Sequence, residues 1–578
     1  MRDPIRYDKA PTNGGRMTER TKARTGGQLL VDALKVHGVD LAFCVPGESY
    51  LAVLDALYDA RNSIRLVTCR QEGGAANMAE AYGKLTGRPG ICFVTRGPGA
   101  TNASIGVHTA FQDSTPMILF IGQVASDQAE REAFQEVDYR RMFAPLAKWA
   151  AQIDNPARVP ELVSQAFHRA VAGRPGPVVI ALPEDMLTAT ANVADTGPYK
   201  TVRPHPGPAE LQAMRDLLAK AERPFLLLGG GGWDATAVRD ITAFAEANDL
   251  PAGVSFRCQD LIDNTHKNYA GHVGIGPHPA LAAQVKEADV LLVVGARLGE
   301  MTTSGYTLLE VPVPRQTLIH VHAGAEELGR VYQPALAINA GMAPFAAAAR
   351  ALPPVDPSRW AARTAQAHKD YLATLEHEGH AGPVQMPAVM KFLRGRLPPD
   401  AILSNGAGNY TTWLHRFYQY RRFRTQLAPT SGAMGYGLPA AVAAKAAYPE
   451  RTVVCFAGDG CFLMNGQELA TAVQYGLAII VIVVNNGMYG TIRMHQEREY
   501  PERVHGTDLV NPDFAALARA YGAFGEKVET TTDFAPAFER ALASGKPALL
   551  ELRLDPEAIT PRMGLSQIRE NARKARGG

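Results

Sequence analysis

What most restricts the fold of this chain is an alternation that begins at Gly27, in which short apolar runs rich in β-branched residues follow stretches of helical period. Helices are expected over 27–37, 50–60 and 73–86, and strands over 41–45, 65–68, 90–95, 117–122 and 177–182. Strands separated by helices pair in parallel, because the return crossover is most readily a helix, and the helices then cover both faces of the sheet. The pattern stops in a polar stretch, 192–208, that holds Pro198, Pro204, Pro206 and Pro208 and reads as a linker. It resumes over 209–351, with strands at 224–228, 290–294 and 317–320, and ends in Leu352-Pro353-Pro354-Val355-Asp356-Pro357. Past a charged helical connector it resumes once more, with strands at 401–404, 451–457, 478–484 and 548–553. The expected class is α/β, with three doubly wound parallel-sheet domains in series: 27–191, 209–351 and 380–560. Residues 1–26 read as an N-terminal extension and 561–578 as a C-terminal tail. The first and third domains are candidates for distant copies of one topology.

A chain of 578 residues is too long for one hydrophobic core, which agrees with several domains. Charged residues make up 20% and the formal charge is +2, so no field of one sign is available to hold a nucleic acid or a membrane surface. The longest apolar run, 477–484, is far short of the roughly 20 residues a membrane helix needs. The first 26 residues lack the apolar core of a secretory signal, so a cytoplasmic location is expected. Because Met17 precedes the first periodic segment, residues 1–16 read as a disordered extension or a start-site artefact. The six cysteines, Cys44, Cys69, Cys92, Cys258, Cys455 and Cys461, stand in apolar contexts without a Cys-x-x-Cys pair and read as buried, reduced thiols.

Chemistry concentrates in the third domain. Gly458-Asp459-Gly460 follows an apolar run directly, and after 24 residues, 461–484, comes Asn485-Asn486. One βα turn then carries the aspartate and the end of the next strand carries the asparagine, so both reach the carboxyl edge of the sheet, where α/β folds bind ligands. A carboxylate, an amide oxygen and a backbone carbonyl are hard ligands suited to Mg²⁺, and a diphosphate would supply further oxygens. Small glycines let the backbone approach such a diphosphate. Taken alone, Gly-Asp-Gly is also an ordinary tight turn. In the first domain, Glu72 stands at a strand end ahead of an Ala- and Gly-rich helix, where a carboxylate commonly serves only the helix N-terminus.

Gly-Asp-Gly followed by Asn-Asn at this spacing resembles the signature of thiamin-diphosphate enzymes, and Met464-Asn465-Gly466-Gln467-Glu468-Leu469-Ala470-Thr471 is similar to acetolactate synthases. The resemblance runs through Arg70 to Gly83, Arg96 to Asn102, Asp113 to Pro116, Ala133 to Glu136 and Gly173 to Pro177. It implies pyrimidine-binding, central and diphosphate-binding domains in that order. It also implies that Asp459, Asn486 and the Met488 carbonyl bind Mg²⁺, and that Gly458 and Gly460 lie at the cofactor. Glu72 would hydrogen-bond the cofactor's aminopyrimidine and promote formation of its ylid. Phe134 and Gln135 would reach the active site. In Ser431 to Ala441, backbone groups of Gly432 and Met434 would hold the aminopyrimidine while the Met434 side chain bends the cofactor; a methionine in this setting is also commonly just buried. Asn409, in Asn405-Gly406-Ala407-Gly408-Asn409, matches a diphosphate contact, although the usual Gln-His pair is absent.

The resemblance implies decarboxylation of a pyruvate-like 2-keto acid and ligation of the resulting enamine to a second carbonyl compound. The alternatives are a non-ligating decarboxylase and a carboligase for aldehyde or aromatic acceptors. Since the family draws Glu72 and Asp459 from different subunits, a homodimer or homotetramer is expected. The chain departs from the family in three further places. His495 replaces a tryptophan that selects the second keto acid, and Glu48 replaces a glycine at the cleft entrance, where a carboxylate repels an acidic acceptor unless protonated or paired. Arg297-Leu298-Gly299-Glu300-Met301 replaces the Arg-Phe-Asp-Asp-Arg of flavin-binding relatives, so FAD at Gly229-Gly230-Gly231-Gly232 stays open. An NAD-dependent dehydrogenase is disfavoured because no Gly-x-Gly-x-x-Gly opens the first domain. Glu72, Asp459 and Asn486 together argue against a binding protein that has lost its chemistry.

Overall fold

The computed structural model describes residues 23–577, so the expectation for residues 1–16 lies outside the described residues. Three six-stranded sheets follow one another along the chain, and every pairing within them is parallel. In the first, the order is Arg65–Thr68, Leu41–Cys44, Gly90–Val94, Met117–Gln123, Pro177–Pro183, Trp149–Gln152. The second runs Tyr269–His272, Ala252–Val254, Pro224–Leu228, Val290–Val294, Thr317–His322, Leu336–Asn339. The third runs Gln426–Leu427, Ile402–Asn405, Val453–Gly458, Ile480–Asn485, Ala548–Arg553, Phe524–Val528. The central strands, such as Met117–Gln123 and Ile480–Asn485, are buried at every position, as expected where helices cover both faces.

Strand order sets where a ligand can enter. A crevice opens at the carboxyl edge wherever consecutive connections leave a sheet in opposite directions. In the third sheet that point lies between Ile402–Asn405 and Val453–Gly458. In the second it lies between Pro224–Leu228 and Val290–Val294, the switch point of the 3-2-1-4-5-6 order typical of dinucleotide binders.

The first and third units pack through helices Glu72–Thr86 and Gly437–Ala447. Most of their alanines and glycines, among them Ala75, Ala76, Ala79, Ala440, Ala441 and Ala444, are fully buried, and small side chains are what allow two helices to approach closely. A short antiparallel pair, Arg24–Thr25 with Thr190–Ala191, closes the ends of the first unit against each other. Beyond residue 560 the chain forms a helix, Leu565–Gly577, whose Arg569 bonds both oxygens of Glu497 at 2.6 and 2.8 Å. Among the described residues no helix is long and apolar enough to cross a membrane.

Candidate active site

Strand Val453–Gly458 delivers Asp459 to the switch point of the third sheet, where it opens the short helix Asp459–Phe462. Its carboxylate is 3% exposed. Oδ1 accepts the Gly460 N–H at 2.9 Å, and Oδ2 accepts the Gly487 N–H at 2.9 Å and Asn511 Nδ2 at 2.7 Å. Strand Ile480–Asn485 therefore brings Asn486 and Met488 to the aspartate through the turn at Gly487, whose φ of +70° suits glycine. Asn486 Oδ1 accepts the Met488 N–H at 3.3 Å, and the Met488 carbonyl accepts the Gly490 N–H at 2.9 Å while keeping a second lone pair. Glycine is required on both sides of Asp459: a Cβ at Gly458 would meet Tyr410 at 2.9 Å, and one at Gly460 would meet Tyr489 at 2.6 Å.

No lysine, arginine or histidine pairs with Asp459 among the described residues. Burial raises its carboxyl pKa despite the three donors, and a bound cation would reverse that shift. Beside it, Asn511 Oδ1 is buried without a partner. Oxygen ligands around an unneutralised carboxylate fit a hard divalent ion. This donor set contains only one carboxylate, and among the described residues no group of three or more His, Cys, Asp or Glu side chains is arranged for a metal.

Asn409 is tied to the same region, for its N–H donates to Thr491 Oγ1 at 3.0 Å and its Oδ1 accepts from that hydroxyl at 3.0 Å. The segment carrying Gly432 and Met434 packs on the turn after Asp459: the Gly435 N–H donates to Cys461 Sγ at 3.2 Å, and Asn465 Nδ2 donates to Gly435 O at 3.0 Å. Met434 is half-buried against the third unit's core, while Gly432 is exposed with φ +70°. One region of the third unit thus gathers Asn409, Gly432, Met434, Gly458, Asp459, Gly460, Asn486 and Met488.

The remaining three predicted residues lie on the first unit. Half-buried Glu72 opens helix Glu72–Thr86, and its Oε2 accepts Asn102 Nδ2 at 3.0 Å. Phe134 is 75% exposed, and its carbonyl accepts Arg96 Nε at 3.2 Å. Gln135 has φ +66° and a buried Oε1 without a partner. Both pack at the Arg96-Gly97 turn, one helical turn from Asn102. Among the described residues no hydrogen bond or ion pair joins Glu72 to the third unit. Glu48 is not a bare charge at this rim: it lies 3.7 Å from Arg96, which also bonds Glu184 at 3.3 Å. His495 stands on helix Gly490–Glu499 with Nδ1 2.6 Å from Arg498 Nη2; burial and that guanidinium lower its pKa.

Asn511 and Arg96 escaped the sequence reading as site residues. Asn511-Pro512-Asp513 looks like a helix cap, and Asp513 does cap helix Phe514–Ala520. Its neighbour's link to Asp459 spans 52 residues and leaves no local signal.

A cavity of about 1640 Å³ lies among the three units, lined by Gly230, Gly231 and Arg297 of the second and by Asn409, Gly432 and His495 of the third. Gly230 and Arg297 follow the two strands that flank the second sheet's switch point. Arg257, Arg297 and Arg424 all face this cavity; Arg257 and Arg424 each have a buried Nε without an acceptor, whereas Arg297 Nε lies 3.3 Å from Glu327, and the two unpaired nitrogens suit an anionic occupant.

Three family models match the chain in order: "Thiamine pyrophosphate enzyme, N-terminal TPP binding domain" over residues 24–142, "Thiamine pyrophosphate enzyme, central domain" over 211–349, and "Thiamine pyrophosphate enzyme, C-terminal TPP binding domain" over 406–552. The acetolactate synthase isozyme 2 large subunit of Escherichia coli is 32% identical over 535 residues, covering 92% of this chain and 95% of its own length. An acetolactate synthase of Arthrospira platensis is 31% identical over 560 residues, with 93% and 95% covered. A probable acetolactate synthase large subunit of Methanocaldococcus jannaschii is 30% identical over 556 residues, with 93% of each covered.

Proposed function

The chain belongs to the thiamine pyrophosphate enzymes, alongside the acetolactate synthase large subunits, and from that premise we propose that it decarboxylates a pyruvate-like 2-keto acid and joins the remainder to a second carbonyl compound. The observation that carries this reading is Asp459, a buried carboxylate ringed by N–H donors and amide oxygens with no protein cation beside it. Asp459, Asn486 and the Met488 carbonyl would hold Mg²⁺. Gly458, Gly460 and Asn409 would face the diphosphate, and Gly432 and Met434 the aminopyrimidine. Thiamin diphosphate, when bound, supplies a nucleophilic carbon and an electron sink for the bond that releases CO₂. Glu72 would hold a proton on one carboxyl oxygen and pass it to or from the aminopyrimidine, with Asn102 fixing the other oxygen. Phe134 and Gln135 would cover the reacting carbon and exclude water, which favours ligation over protonation.

Among the described residues Glu72 bonds nothing in the third unit of its own chain, which supports a homodimer or homotetramer in which it serves a partner's cofactor. Exposed Leu463, Met464, Ile492 and Val510 beside the metal region agree with such a contact. The cavity at the second sheet's switch point, with the acceptor-free Nε atoms of Arg257 and Arg424, supports FAD as a further ligand; a flavin absorption band in the purified protein would test it. The main test is pyruvate consumption with thiamin diphosphate and Mg²⁺ supplied or omitted, with products identified by mass spectrometry. Cofactor-dependent acetolactate is expected. Free acetaldehyde alone would favour the simple decarboxylase, and turnover without the cofactor would sink the proposal.

A further inference from the structure

Glu468 opens helix Glu468–Gln474 of the third unit, yet its carboxylate reaches into the first unit. Oε1 accepts two backbone N–H groups there, from Arg70 and from Gln71, both at 3.0 Å, while Oε2 accepts the Thr471 hydroxyl at 2.6 Å. The side chain is fully buried, and burial raises its pKa against the pull of those donors. A buried carboxylate is costly unless its oxygens are bonded, and N–H bonds to a carboxylate are among the stronger ones.

The two peptides it holds are those that lead into Glu72. Gln71 is the N-cap of helix Glu72–Thr86, and its side chain accepts the Gly74 N–H at 3.0 Å. Gly74 makes room for the contact, since a Cβ there would stand 2.6 Å from Glu468 Oε1 and 2.9 Å from its Cδ. Arg70 repeats the link at its other end, donating to Gln474 Oε1 at 2.6 Å. A clamp that merely joined the units could bind any exposed pair of groups. This one fixes two successive peptide planes just ahead of the helix, and so sets the direction in which the Glu72 side chain leaves the backbone. Asn102 fixes the far end of that side chain.

We propose that Glu468 is a positioning residue for Glu72, an anionic anchor in the third unit that holds the strand-to-helix turn from which Glu72 projects. The inference rests on the role given to Glu72 above. Glu468→Ala in the full-length enzyme is expected to lower kcat about 100-fold, the cost of a displacement near 1 Å in a catalytic group, with KM for pyruvate changed by less than about threefold. Glu468→Gln, which keeps an acceptor oxygen, is expected to recover most of that loss. In the protein without cofactor, hydrogen exchange should quicken in the peptide spanning residues 69–75 and stay unchanged around Asp459. Gly74→Ala, which crowds the same carboxylate without removing it, should give the same exchange pattern and covers the case in which Glu468→Ala fails to fold. Glu72→Gln separates the two readings: added to it, Glu468→Ala should lower kcat no further. Full multiplication of the two losses, or unchanged exchange in both the Glu468→Ala and Gly74→Ala proteins, would overturn the proposal. Wild-type turnover in Glu72→Gln would instead remove the role of Glu72, and the positioning role with it.

Discussion

Counted within each unit in chain order, the six strands of the first and the third sheets are arranged alike, 2-1-3-4-6-5, yet their switch points are furnished with opposite chemistry. In the third, strand Val453–Gly458 ends in a carboxylate, Asp459, surrounded by N–H and amide groups and left without a cation. In the first, the equivalent strand Gly90–Val94 leads through Thr95 into a cation, Arg96, whose guanidinium meets Glu184 at 3.3 Å and Glu48 at 3.7 Å. One crevice presents a carboxylate that no side-chain cation neutralises among the described residues, and the other is already neutralised by its own side chains. The first unit offers the carboxylate proposed to act on the cofactor one strand over, at Glu72 after Arg65–Thr68. Topology therefore fixes where a site can form, and a few residues at the strand ends decide what it holds.

The sharpest way to break this comparison is to remove the charge from each crevice in turn. Asp459→Ala is expected to weaken thiamin diphosphate binding in the presence of Mg²⁺ by more than about 100-fold, since loss of even an outer partner of a metal ligand costs 10–100-fold. Titration calorimetry reads this directly. Arg96→Gln should leave that affinity within about threefold, because its crevice holds no part of the metal site. If both substitutions weakened the cofactor alike, the division of labour between the two units would be wrong.

Arg96→Gln should act on the substrate instead. It leaves Glu48 and Glu184 unneutralised at the rim, so an anionic 2-keto acid meets extra negative charge. KM is expected to rise about tenfold, equivalent to about 1.4 kcal/mol, and the effect should shrink as salt screens the exposed Glu48. Unchanged KM at low salt would place the Glu48 and Arg96 pair away from the substrate path.

The same contrast explains what could be seen in the sequence. Strands buried on both faces carry continuous apolar runs, so the runs at 117–122, 224–228, 290–294 and 548–553 mark Met117–Gln123, Pro224–Leu228, Val290–Val294 and Ala548–Arg553 within a residue. Of the strands left out of that reading, Trp149–Gln152, Tyr269–His272, Leu336–Asn339, Gln426–Leu427 and Phe524–Val528 all lie at sheet edges. Phe524–Val528 shows why, for four of its five residues are partly or fully exposed, and its Gly525, Glu526 and Lys527 break any apolar run. Ala252–Val254 is interior but only three residues long. At the site, local spacing announced Asp459 and Asn486 because one turn and one strand end hold them. Asn511, Arg96 with Glu184, and Glu468 with Arg70 act across tens to hundreds of residues, and such pairings have no period to read.

The seam between the two units tests whether they behave as one body. Glu80, on the first unit's helix Glu72–Thr86, is fully buried, and its Oε2 accepts the Tyr436 hydroxyl of the third unit at 2.5 Å. Lys84 stands 4.0 Å from its Oε1 but bonds Asp113 more closely, and Thr115 also faces the group. Burial outweighs Lys84 and, with Asp113 adding to it, pushes the Glu80 carboxyl up to about 7. A carboxyl raised on folding binds its proton more tightly in the native state, so its contribution to stability is complete below its unfolded value and is lost as pH rises through about 7. Between about pH 5 and pH 8 the wild type should lose stability relative to Glu80→Gln, by at most about 1.4 kcal/mol per pH unit. The glutamine keeps an oxygen for Tyr436 but does not titrate, so the difference between the two denaturation midpoints isolates this one group. Parallel pH profiles would mean that Lys84 keeps Glu80 ionised throughout, and the seam would then be a plain ion pair that does not respond to pH in this range.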